Sequence, residues 1–92
     1  MNPIPGPRVI QNCRIAWQVY DGEAVLVDPD GAVCLVLNET ATFIWDYCAA
    51  ARSEAEIAAA LAEAYAGDPA AMAGDVHAIV GELTAKGLLK EA

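Results

Sequence analysis

Ninety-two residues, 57% of them apolar, are enough for one globular domain with a modest core and too few for two. Thirteen Asp and Glu stand against five Lys and Arg, a formal charge of −8. The cations (Arg8, Arg14, Arg52, Lys86, Lys90) are scattered, which speaks against nucleic acid and against an anionic membrane surface as partners.

No window approaches about eighteen uninterrupted apolar residues, so no membrane span is expected. The first residues carry Pro3, Pro5 and Pro7 and no hydrophobic run, so no secretory signal is expected either and the predicted location is the cytoplasm. Residues 1–12 read as an irregular proline-rich arm ahead of a single domain over 13–92, because proline fixes φ and removes amide donors.

The segment from Arg14 to Tyr20 alternates, with Ile15, Trp17 and Val19 on one side, as a half-buried strand does. Asp21-Gly22 is a two-residue hairpin turn whose central positions both want positive φ. Glu23 to Asp28 is the return strand, and Pro29-Asp30-Gly31 signals a second turn. Ala32 to Leu37 is apolar without a break, a strand whose two faces both need shelter from water. Two hairpins make a meander in which this most apolar strand lies at an edge.

Asn38 is placed to cap a helix over about residues 39–49, with Ala41, Ile44, Trp45 and Cys48 as its apolar stripe. Ser53 and Glu56 form a capping box ahead of a second helix that carries Ile57, Leu61 and Tyr65, with Gly67 as its stop. Asp68-Pro69 opens a third, whose apolar face is Met72, Val76, Ile79, Val80 and Leu83, and Lys86-Gly87 closes it. Gly74 and Gly81 share a face of that helix and suggest a close approach, of a guest or of a neighbouring helix. Leu88-Leu89 should fold back on the core. The expected fold is α+β and winged-helix-like, a three-stranded antiparallel meander followed by three helices.

Little in the chain suggests catalysis. Cys13, Cys34 and Cys48 are an odd set without a C-x-x-C pair, which indicates neither a disulfide framework nor a zinc site. His77 reads as a solvent-facing helix residue, and Glu54 with Glu56 as dipole partners at a helix start. No phosphate loop, metal-ligand spacing or cofactor motif is present, so the expectation is a protein that is not an enzyme and takes no cofactor.

What stands out is the edge. Val33 to Leu37 lacks the charge or proline that normally guards an exposed strand. Its cover is one of three things: the arm over 1–12, a second copy in a homodimer, or an incoming peptide added as a further strand.

Leu37-Asn38-Glu39-Thr40-Ala41 with Ile44-Trp45, then Ser53 to Ile57 and Leu61, then Asp75-Val76, Ile79-Val80, Leu83 and Gly87-Leu88-Leu89 resemble the PqqD family over about residues 23–90. That family includes the small protein of pyrroloquinoline quinone synthesis and the recognition elements of ribosomally made peptide pathways. The resemblance implies a peptide chaperone that binds the leader of a precursor peptide by strand addition. It then hands the peptide to a modifying enzyme, often a radical S-adenosylmethionine protein. It implies a peptide site of Val33, Cys34, Leu35, Val36 and Leu37 facing Val76, Ile79, Val80 and Leu83. The rival functions are a DNA-binding winged helix, which the charge opposes, and a structural dimerisation module.

Overall fold

The structure is a computed structural model that describes residues 7–27 and 34–92, without the side chain of Cys34. Nine elements follow in order: β1 (Arg8–Gln11), β2 (Ala16–Tyr20), β3 (Glu23–Val27), β4 (Cys34–Val36), α1 (Glu39–Tyr47), β5 (Arg52–Ser53), α2 (Glu54–Ala64), α3 (Pro69–Ala85) and β6 (Leu89–Glu91). The expected meander is present as an antiparallel sheet β2-β3-β4. Its first turn has Asp21 at φ 53° and Gly22 at φ 81°, the double positive φ that the Asp-Gly pair predicts. The second turn, Pro29-Asp30-Gly31, lies outside the described residues.

Trp17, Leu26 and Leu35 stand opposite one another across the sheet, so they share its inner face. Leu26 is fully buried there, and Trp17 and Leu35 pack on a core that includes Ile44, Trp45, Ile57, Leu61, Val76, Val80 and Leu83. Trp17 meets Trp45 edge to face, ring centroids 5.8 Å apart. The outer face keeps Val27 and Val36 exposed.

The expected irregular arm needs correction over its described part. Arg8–Gln11 is strand β1, the centre of a second antiparallel sheet in the order β5-β1-β6. It stays because it satisfies the carbonyl ends of two helices. Gln11 donates its backbone N–H to Cys48 O and its side-chain amide to Trp45 O (2.9 and 2.7 Å). Asn12 does the same for Leu88 O and Gly87 O (2.8 and 3.0 Å) at the end of α3. Residues 1–6 of the arm lie outside the described residues.

The helix caps are those the sequence predicts. Asn38 accepts from Ala41 N–H at 2.8 Å, and both bonds of the Ser53/Glu56 capping box form, at 2.8 and 3.1 Å. Gly87, at φ 76°, closes α3 with the paired bonds Leu88 N–H to Leu83 O and Gly87 N–H to Thr84 O. At the end of α2 the left-handed residue is Ala66 (φ 54°), not Gly67. A Cβ at Gly67 would meet only the flexible end of the Met72 side chain, which can move aside. Gly74 and Gly81 have nothing within 4 Å of an added Cβ among the described residues, so no neighbouring helix approaches them closely.

Two glycine substitutions should therefore move stability in opposite directions. Gly81→Ala is expected to stabilise by about 0.5–1 kcal/mol, the helix-propensity difference, and Gly87→Ala to destabilise by about 1–2 kcal/mol through its left-handed φ. Urea unfolding midpoints measure both.

Candidate functional site

The free edge of β4 is built by a three-way clasp at its end. Leu37 N–H donates to Ala24 O at 2.8 Å. The reciprocal bond is replaced by the Thr42 hydroxyl, which accepts from Ala24 N–H (2.8 Å) and donates to Leu37 O (3.2 Å). One side chain of α1 thereby fixes β3, β4 and the turn into the helix.

This fixes which main-chain groups face outward. In an antiparallel ladder, residues bonded to the neighbour alternate with residues whose N–H and C=O point the other way. With Leu37 bonded to Ala24 and Leu35 opposite Leu26, the groups turned away from β3 belong to Val36 and Cys34. No described residue pairs with them, and the described part of the amino-terminal segment lies in the other sheet.

Beside that edge runs a groove of about 200 Å³ lined by Leu35, Val36, Leu37, Asn38, Ala41, Ile79, Glu82 and Leu83. Five of the nine residues expected at a site meet here: Leu35, Val36, Leu37, Ile79 and Leu83. Val76 and Val80 do not line it; they are fully buried in the core, turned toward the rest of the domain. Val33 lies outside the described residues, as does the side chain of Cys34.

Three lining residues were not expected. Asn38 and Ala41 reach the groove from the start of α1, and their cap and core roles conceal this in the sequence. Glu82 lies three residues after Ile79 on α3, a helical neighbour that its charge kept off an apolar stripe. Its carboxylate pairs with Lys86 Nζ at 3.6 Å on the exposed rim.

Other reactive side chains stand apart from the groove. His77 is solvent-facing, with Nδ1 2.9 Å from Glu54 Oε1. Burial pushes the Cys48 thiol up to about 11, against a smaller opposing effect of Arg52, which suits a packed rather than a nucleophilic cysteine. Among the described residues no group of three or more His, Cys, Asp or Glu could hold a metal ion, and no helix is long and apolar enough to cross a membrane.

Comparison with known proteins supplies a family and a fold. The family model of coenzyme PQQ synthesis protein D matches residues 23–89. Among solved structures, the chain is similar to TbiB1 in complex with the TbiA(beta) leader peptide, with a TM-score of 0.78 and 21% identity over 88% of this chain and 94% of that one. No curated protein matches.

Thr42→Val keeps the shape of the clasp and deletes its hydroxyl, leaving Ala24 N–H and Leu37 C=O unpartnered. The expected cost is about 1–3 kcal/mol. Amide hydrogen exchange should accelerate at Ala24 and Leu37 more than in α2, which distinguishes a local loosening from a general loss of stability.

Proposed function

The chain belongs to the coenzyme PQQ synthesis protein D family, and from that membership we propose that it is a non-catalytic recognition module for the leader of a ribosomally made precursor peptide. In this proposal it works in the cytoplasm, takes the leader as an added strand on β4, and presents it to a modifying enzyme of the radical S-adenosylmethionine kind. The observation that carries the proposal is that, among the described residues, no strand pairs with the outward main-chain groups of Val36 and Cys34, which lie beside a groove lined mainly by aliphatic side chains. The structure of TbiB1 with its leader peptide supports it by likeness of fold.

The register says what such a guest would look like. Its residue opposite Val36 exchanges main-chain bonds and points its side chain to the outer face of the sheet. The residues on either side point inward, toward Leu35, Leu37, Ile79 and Leu83. Main-chain bonds supply affinity for any extended segment, and the two inward positions select aliphatic or aromatic side chains.

The rival reading of a winged helix on duplex DNA lacks cations where it needs them. None of α1, α2 and α3 contains a Lys or Arg. A helix in the major groove positions itself on phosphates with such side chains.

Two variants test the strand-addition site. Val36→Pro removes an outward N–H without removing a bond to β3, a substitution an edge strand tolerates. Leu35→Lys places a charge at the groove. Each should weaken calorimetric affinity for a precursor leader peptide that the parent protein binds by at least about tenfold, or ~1.4 kcal/mol, while the circular dichroism spectrum stays that of the parent. Unchanged affinity in both folded variants would falsify strand addition at β4. Sedimentation of the free protein separates the competing occupant, a second copy paired along the same edge.

A further inference from the structure

A second cleft, of about 630 Å³, lies between α1 and α2 and is lined by Phe43, Tyr47, Glu56, Ala59, Ala60, Glu63 and Ala64. Phe43 and Tyr47 lie roughly 120–160° round the axis of α1 from Ala41 at 100° per residue, so this cleft and the β4 groove occupy opposite flanks of one helix. The two rings stack with centroids 6.2 Å apart, and Phe43 also meets Tyr65 edge to face at 6.0 Å. None of the three rings is buried, and Tyr65 is 44% exposed. Alanines leave the α2 side shallow, so bulk to fill the cleft has to come from elsewhere.

The charged side chains in its lining, Glu56 and Glu63, are both acidic, and two cations border it, Arg8 at Glu56 and Arg52 over Tyr47. Glu56 and Glu63 are two turns apart on α2, about 10 Å at 1.5 Å per residue. Glu56 is held ionised, its carboxyl kept below the usual range chiefly by the Ser53 backbone N–H. It spends one oxygen on that bond and on Arg8 at 3.7 Å. Glu63 has no ion pair among the described residues. The aromatic wall already accepts a cation, since the Arg52 guanidinium sits 4.0 Å from the centre of the Tyr47 ring.

We propose that this cleft docks an amphipathic helix of a protein partner, one that carries Arg or Lys two turns apart with aliphatic residues between them. The cations meet Glu56 and Glu63, and the aliphatic side chains fill the space between the alanines and the Phe43–Tyr47 pair. A single small cation would leave one carboxylate and most of the volume unused. The assignment does not depend on a strand adding to β4, because the two sites share no lining residue.

The test is an amide NMR titration of the full chain with a synthetic helical peptide bearing two arginines seven positions apart and two leucines between them. Shifts should concentrate at Phe43, Tyr47, Ala60 and Glu63. Glu63→Lys and Ala60→Phe should each weaken binding by at least about tenfold, whereas Glu91→Lys, the same charge change on β6, should leave it within about twofold. Equal weakening by Glu91→Lys would mean general attraction to a chain of net charge −8 and would overturn the assignment. So would shifts confined to β4, or binding that appears only after residues 1–6 are deleted, which would give the cleft to the chain's own amino-terminal segment.

Discussion

The Thr42 hydroxyl sets the geometry on which the candidate site depends. By standing between Ala24 N–H and Leu37 O, it ends the β3–β4 ladder and starts α1 at the same point. Asn38 completes the junction by capping the helix. A strand held this way at one end, with Leu35 and Leu37 packed inward, cannot slip by one residue without turning those leucines to solvent. The outward row at Val36 and Cys34 is therefore fixed before any guest arrives. A preformed edge spares an added strand part of the ordering cost that limits flexible binders.

The parts of the fold legible in the sequence are those specified by neighbouring residues. Asp21-Gly22, Asn38, Ser53 with Glu56, Asp68-Pro69 and Gly87 each act on backbone within a few positions, and each does what its chemistry predicts. The second sheet was not legible because its pairings join Arg8 to Ser53 and Val9 to Glu91, in strands of two to four residues. Three prolines just upstream oppose regular pairing next to Val9-Ile10, the only local sign of a strand. What anchors β1 is a set of helix-end carbonyls, and nothing in the sequence says which distant amides will reach them.

The candidate groove was legible in position and less so in composition. Periodicity gave α3 one apolar stripe, but that stripe is wide enough to serve two neighbours. Its centre, Val76, Val80 and Leu83, goes into the core against the other elements. Only its flank, Ile79 with Glu82 and the edge of Leu83, turns to β4. A pattern of apolar residues reports that a helix face is covered, without reporting which part faces protein and which faces a vacancy. Glu82 illustrates the point, since a charged residue at the border of the stripe is where a groove wall is most easily found.

Charge then narrows what the surface can meet. Of the five cations, Arg8 pairs with Glu56, Lys86 pairs with Glu82, and Arg52 lies over Tyr47. The three helices carry no Lys or Arg, and their one imidazole, His77, lies beside Glu54. On the proposed readings, α1 is the wall shared by two sites of different character: a mainly aliphatic strand-edge groove with Glu82 at its rim on one flank and an acid-walled aromatic cleft on the other. The residues between them, Ile44, Trp45 and Cys48, are buried and packed, and no hinge separates the flanks. Two occupants held on one rigid helix need no conformational signal to assist each other. Each raises the effective concentration of the other, to roughly millimolar for short connections. On these proposed readings, holding a substrate close to the partner is by itself enough to accelerate the partner's reaction.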